Sequence, residues 1–332
     1  MRVKVLFAGV SFPDVMIVRG TYPAGQPPFP LVPGYDAVAQ VDALPPNTSD
    51  NVPFAVGDLV AISCMAGAWQ EYMLVPIGAQ DFKVVVLNAN KAKGIDGAKV
   101  CALVLNYMTA FQMLTRIQPL APGQRVLVHG VSGGVGSALA ELAVLTMGLE
   151  VYGTCSGRKM EAVRTTAWGA KISLIDYAKE DFVEVVRKVG GVDAVFDAVG
   201  GSNFKRSYRS LRAGGVFVAY GVTVREDAHG GTSMVRTLLA FAPFFLLKLR
   251  QPFSGLRAIE IFKVNDVRMA HPDWFRDDFA RLLDMLVQGT IDPVIHPHRF
   301  TIDEAPQALQ LVVDGGVVGK AVIALLKKKK SN

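Results

Sequence analysis

The stretch "VLVHGVSGGVG", Val126 to Gly136, limits the possible folds of this chain more than any other. An apolar run of strand type stops at a turn, and four of the last seven residues are glycine. More strand-type runs follow: "EVYGTC", "ISLID", "AVFDAVG" and "VFVAYG". Helical patterns lie between them, such as "GSALAELAVLTMG" and "RKMEAVRTTAWG", and each closes on a glycine (Gly148, Gly169) suited to a helix C-terminus. Apolar strands joined by helical crossovers predict a parallel, doubly wound sheet.

A turn between a parallel strand and a helix aims backbone N–H groups at whatever sits beyond it, and the helix N-terminus adds a partial positive charge. Glycines there let a pyrophosphate approach the main chain and let the helix pack on the sheet. The best register for the dinucleotide fingerprint runs Val131, Ser132, Gly133, Gly134, Val135, Gly136. Where an NAD site carries an acid to hold the ribose hydroxyls, the second strand instead ends in Ser156, Gly157, Arg158 and Lys159. A hydroxyl followed by two cations suits a 2′-phosphate, so NADPH is the expected cofactor.

Before residue 100 the pattern is short β-type runs broken by Pro and Gly: "VKVLFAGV", "DLVAIS", "WQEYMLVP" and "FKVVVL", with "LPPNTSDNVPF" as a polar loop. After the alternating region come a helix "PDWFRDDFARLLDMLVQG", a short strand "PVI", a helix "DEAPQALQLVVDGG" and a strand "KAVIALL". Of the net charge of +6, four units sit in the tail Lys327 to Lys330, and no basic surface interleaved with aromatics argues for nucleic acid. Cys64, Cys101 and Cys155 have no paired spacing, which fits a reducing compartment. The apolar segment "TLLAFAPFFLLKL", Thr237 to Leu249, is too short for a span of about 18 apolar residues.

The residues extend to a family resemblance. "VLVHGVSGGVG" resembles the turn of zinc-free medium-chain reductases of the quinone oxidoreductase and zeta-crystallin type. "GVSFPDVMIVRGTYP", "PGYDAVAQV", "GDLV", "YMTAFQML", "GVDAVFDAVGG", "LRAGGVFVAYG" and "GKAVIAL" follow in family order, and "TCSGRKMEAVRTTAWGA" is similar to the NADPH-using branch. The resemblance implies an α/β chain with a GroES-like β-barrel catalytic domain (1–106 and 278–326), a Rossmann domain with a doubly wound parallel sheet (107–277) and a basic tail (327–332). It implies an active site in the cleft between the domains. Its cofactor contacts fall on Thr109, Gly133, Gly134, Val135, Ser156, Arg158, Lys159, Tyr177 and Gly221. Members usually have further residues ahead of the segment that Met1 opens. Their absence is expected to leave a sheet edge unpaired, unless the barrel closes differently.

Two departures concern side chains: the family's Asn is Ser11, and the usual Ala of the turn is Val131. No metal is expected, because "PGYDAVA" lacks a Gly-His-Glu run and the histidines are scattered. Without a Lewis acid, the expected substrates are small apolar quinones or α,β-enones, whose reduced forms delocalise the oxyanion so that a few hydrogen-bond donors suffice. Tyr22 and Ser11 are the candidate donors, and Asp14 is expected to orient their loop. A homodimer is expected through the apolar strand in "GLRAIEIFKV". The expected location is cytoplasmic, with peripheral membrane contact through the 237–249 segment left open. The rival reading is a nucleotide-binding, membrane-associated protein of low turnover, similar to the vesicle amine-transport branch.

Overall fold

The computed structural model describes residues 1–23, 25–46, 53–76, 85–117, 119–221, 234–253, 255 and 258–325, side chains 234–238 apart. The basic tail and most of the "LPPNTSDNVPF" loop lie outside the described residues. Two compact units emerge. One comprises 1–20, 26–108 and 264–332, the other 21–25 and 109–263. This division groups residues 264–277 with the first unit, whereas the sequence reading counted them in the Rossmann part.

The first unit is built on an antiparallel sheet. Its strands are β1 (Arg2–Val10), β2 (Asp36–Ala43), β3 (Leu59–Ser63), β4 (Tyr72–Leu74), β5 (Val85–Asn88) and, from the far end of the chain, β12 (Ala321–Ala324). The order is β12-β1-β2-β3-β5, with β4 also paired to β1. Both edges of β1 are therefore occupied: β2 lies on one side, and β12 and β4 share the other. The amine of Met1 donates to Val75 O at 2.8 Å, so the first residue is tied in as well. The sheet edge expected to be left open is not at β1. Alternate residues face one core, among them Val3, Val5, Ala37, Ala39, Val41, Val60, Ile62 and Ile323, as the period of two requires.

The second unit is the predicted parallel sheet. Its strands are β6 (Arg125–His129), β7 (Glu150–Cys155), β8 (Ser173–Asp176), β9 (Val192–Asp197), β10 (Leu211–Ala219) and β11 (Ala258–Ile261). They lie in the order β11-β10-β9-β6-β7-β8. Renumbered from its own first strand, this sheet reads 3-2-1-4-5-6, the dinucleotide-binding order, and the chain reverses direction across the sheet between β6 and β9. Strand β9 is buried along its whole length, as a strand covered on both faces must be. Strand β11 pairs only with β10 among the described residues.

One described helix is long and apolar enough to cross a membrane by length and composition. It spans Gly97–Ile117, with a mean hydropathy of 1.3 over its best window, and 83% of that window is buried inside the protein. Lys99, Asn106 and Gln112 interrupt its apolar run, so no unbroken apolar stretch marks it in the sequence. Its burial is that of a core helix.

Candidate nucleotide-binding site

Strand β6 ends at His129, and the chain turns through Gly130, which has φ of +66°, a region that favours glycine. Gly133 N donates to Gly130 O at 2.8 Å and opens the helix Gly134–Leu145. No side chain caps that helix. Its first amides therefore have no intrahelical acceptor and no side-chain oxygen, which is the arrangement that receives a phosphate. Gly136 is required for packing, since a Cβ there would lie 2.2 Å from Gly130 O. Val131 carries its extra bulk away from the turn: it is fully buried, and a Cβ on Gly153 of β7 would lie 2.8 Å from its Cγ1. The valine that departs from the family pattern is thus accommodated by a glycine in the next strand.

Strand β7 leads to Ser156, the N-cap of the helix Gly157–Arg164, and again no side chain caps it. Arg158 is exposed and Lys159 is half-buried. Burial, and then the Arg158 charge, lower the Lys159 pKa from its ordinary value. Tyr177 follows β8; its ring is largely exposed and its amide donates to Cys155 O at 3.3 Å. Sequence reasoning missed Asp176. A Cβ on Gly157 would lie 2.4 Å from Asp176 Oδ2, so a buried carboxylate stands beside the start of this helix. The signal available was an Asp where the family segment reads Ile-Asn-Tyr.

Other expected contacts are spread through the same unit. Gly221 lies past the end of β10, and its Cβ position is 3.3 Å from Ala198 Cβ, just past the end of β9. Thr109 is buried, and its Oγ1 has no hydrogen-bond partner. An orphaned buried hydroxyl is costly unless a ligand meets it, and so Thr109 fits a cofactor contact. Tyr22 is half-buried and belongs to the segment 21–25 of this unit.

Ser11 and Asp14 lie in the first unit and are brought together at the start of the helix Phe12–Val18. Asp14 Oδ2 accepts from Ser11 N at 2.8 Å and from Ser11 Oγ at 2.5 Å. Asp14 Oδ1 is buried without a partner. Burial chiefly, opposed by the Ser11 hydrogen bond and reinforced by the Asp36 charge, raises the Asp14 pKa to about 7. Below it, Lys320 Nζ meets Asp36 at 2.8 Å, both side chains being buried. Burial also pushes the Cys64 thiol up to about 12 and raises Cys101 and Cys155. None of the three is a ready thiolate. Among the described residues, no three His, Cys, Asp or Glu side chains converge as a metal site. His296 and His298 lie near each other, and His298 Nε2 pairs with Glu304 at 3.3 Å.

An antiparallel unit and a parallel sheet of this order, with an uncapped helix at the switch point, define a two-part α/β protein with a Rossmann-like, dinucleotide-binding type of sheet. Residues 1–85 match the model of the alcohol dehydrogenase GroES-like domain, and residues 168–323 match that of the zinc-binding dehydrogenase. The synaptic vesicle membrane protein VAT-1 homolog of Homo sapiens is 30% identical over 97% of this chain and 78% of its own length. That of Danio rerio is 34% identical over 97% of this chain, which spans 63% of the relative. In fold, the chain resembles Escherichia coli quinone oxidoreductase complexed with NADPH, at a TM-score of 0.76 and 20% identity, with 97% of this chain and 90% of that one covered. The chain belongs to the medium-chain dehydrogenase/reductase family, with GroES-like and Rossmann-type parts.

Proposed function

We propose that the protein binds NADPH and reduces small apolar quinones or α,β-unsaturated carbonyls without a metal. The observation that carries this reading is the end of β7: a helix start that no side chain caps, with Ser156, Arg158 and Lys159, where an NAD site would place an acid. NADPH held there supplies a hydride. The remaining work falls to the chain. The amides of Gly134, Val135 and Gly136 hold the pyrophosphate, and Ser156, Arg158 and Lys159 hold the 2′-phosphate, with Tyr177 beside them. Thr109 and Gly221 contact the cofactor. Ser11 and Tyr22 donate to the substrate oxygen as negative charge develops on it. Ser11 Oγ gives its single proton to Asp14 Oδ2 when that carboxyl is ionised. With Asp14 protonated, its pKa being raised to about 7, the bond reverses, Asp14 donates to Ser11 Oγ and the Ser11 proton is released to the substrate oxygen.

The test is steady-state NADPH oxidation with a 1,2-quinone, a 1,4-quinone and an enone. Turnover with at least one, lowered by Ser11→Ala, is expected. NADPH binding without turnover on any of them overturns the catalytic part. A homodimer through the edge of β11 that has no partner strand among the described residues belongs to the same reading, and a monomer by light scattering at micromolar protein contradicts it.

A second reading, a membrane-associated nucleotide-binding protein of low turnover, is favoured by one surface. The helix Met234–Arg250 and the turn after it expose Leu239, Phe245, Leu246, Leu249 and Phe253, the last at 92%, next to Arg250 and to Lys248, which is paired with Glu260. An apolar face edged by cations is the composition of an interfacial helix. Two curated relatives carry the words "synaptic vesicle membrane protein" in their names. Sedimentation with anionic vesicles tests this, and loss of binding in Leu249→Glu is the expected signature.

A further inference from the structure

The residue before the glycine turn is a buried histidine that the cofactor reading leaves without a task. His129 Nε2 lies 3.0 Å from Ser207 Oγ, and His129 Nδ1 lies 3.0 Å from Thr154 Oγ1. Ser207 Oγ donates to Asp197 Oδ2 at 2.6 Å. Gly130 N, the first amide of the turn, donates to Thr154 Oγ1 at 3.3 Å. All four side chains are buried.

The proton positions follow from the end groups. A carboxylate only accepts, so the single proton of Ser207 goes to Asp197. Ser207 Oγ then accepts, and His129 must carry its proton on Nε2. Nδ1 is left as an acceptor, so Thr154 donates to it and has lone pairs free for Gly130 N–H. Burial lowers the His129 pKa, the Asp197 charge opposes this and the Arg206 charge adds to it, which keeps the ring neutral. The result is a directed chain from Asp197 at the end of β9 to the backbone of the turn after β6. These are the two strands between which the sheet order reverses. Asp197 Oδ1 also accepts from Val199 N at 2.8 Å and Gly200 N at 3.0 Å, and its Oδ2 accepts from Asn203 Nδ2 at 2.9 Å. One carboxylate thereby organises the loop after β9 and, through His129, the turn after β6.

We propose that His129, with Thr154, Ser207 and Asp197, forms a positioning relay that holds the glycine turn for the dinucleotide pyrophosphate. Gly130 is the point of application. Its carbonyl accepts from Gly133 N and seats Gly136, so its placement sets where the helix Gly134–Leu145 begins. A small displacement there moves every amide that meets the phosphates, and binding depends on such placement. The inference rests on the NADPH reading.

The experiment measures affinities for NADPH and for adenosine 2′-phosphate, which has no pyrophosphate, in wild type, Thr154→Val, Thr154→Ser and Ser207→Ala. Thr154→Val removes the hydroxyl at nearly constant shape. It is expected to weaken NADPH about five- to tenfold and to leave adenosine 2′-phosphate unchanged. Thr154→Ser restores NADPH binding, and Ser207→Ala shows the same selective loss to a smaller degree. Equal weakening of both ligands, or no change in either, overturns the relay. Wild type that binds neither ligand defeats the NADPH reading itself, and the relay with it. A measurement independent of the variants is nitrogen NMR of the His129 ring in wild type with NADPH: the Nε2–H tautomer is expected, and Nδ1–H overturns the proposed direction of the chain.

Discussion

The two units bury polar side chains in different ways. In the antiparallel unit the buried group is a full ion pair, Lys320 with Asp36, beside the raised carboxyl of Asp14. Burial, the largest single influence, would lower the Lys320 pKa, but the charge and hydrogen bond of Asp36, with Cys101 and Asp14, together outweigh it and the net shift is upward. That pair ties the residue just before β12, late in the chain, to the first residue of β2, early in it. In the parallel unit the buried chain through His129 has one formal charge, on Asp197, and ends on a backbone amide of the turn. The first arrangement holds the fold together. The second transmits position to a site. Removing a partner from the first should therefore cost stability, and removing a ligand-facing group from the second unit should cost affinity.

The largest effect should come from Lys320→Met, which strands the Asp36 charge in a dry site. Losing one partner of a buried pair costs about 3–5 kcal/mol. Denaturant unfolding should show the loss in the transition of the antiparallel unit, and the double variant Asp36→Leu with Lys320→Met should recover most of it. A single variant as stable as wild type would break the comparison.

Asp14 comes next, and its sign is opposite to that of most carboxylates. Its folded pKa is about 7 against an ordinary value of 3.8. Between those values the unfolded chain has lost the proton and the folded protein keeps it. The stabilising contribution is fully present below about pH 4 and is lost as pH rises through 7. The loss is at most about 4 kcal/mol. Asp14→Asn should flatten the stability profile from pH 4 to 7, measured by thermal unfolding in a pH series. An unchanged slope would show that the carboxyl is not the titrating group.

A smaller effect, and of the other kind, is expected at the cofactor end. Arg158→Ala should weaken NADPH about tenfold, some 1.4 kcal/mol, while NADH binding and unfolding stay unchanged. Fluorescence titration of both cofactors decides it, and equal weakening would mean that Arg158 does not read the phosphate. Asp176→Asn should tighten NADPH, because it removes the negative charge beside Gly157.

The smallest effect isolates burial as the cause of the first. Lys91 and Asp284 form an ion pair of the same chemistry at 2.7 Å, but exposed at 65% and 46%. An exposed pair is worth about 0–1 kcal/mol. Lys91→Ala should thus shift the denaturation midpoint barely at all. A loss comparable to that of Lys320→Met would mean that the contrast does not lie in desolvation.

Much of the second unit was legible because its signals are local. Strand, turn and helix follow one another within Val126 to Gly136, and the absence of an acid after "EVYGTC" needs no knowledge of neighbours. The strands β6 to β11 overlap the runs read from the sequence, although β10 begins at Leu211, five residues before "VFVAYG". The first unit was legible as β-rich, but its pairing was not. The residues around β1 did not say which strands would flank it, and β12 and β4 fill the side of β1 away from β2.

By itself, then, the sequence determined the parallel sheet, the glycine turn, the cations after β7 and the family. These depend on residue type and on spacings of a few positions, which act through backbone geometry and side-chain periodicity. Only the tertiary structure decided the rest. Asp36 meets Lys320 across 284 positions of chain, and His129 meets Ser207 across 78. Gly153 receives Val131, and Asp176 comes to stand beside Gly157. A buried charge, a tautomer or a shifted pKa is set by what surrounds the group and by how much water is excluded, and those surroundings are assembled only when distant segments pack.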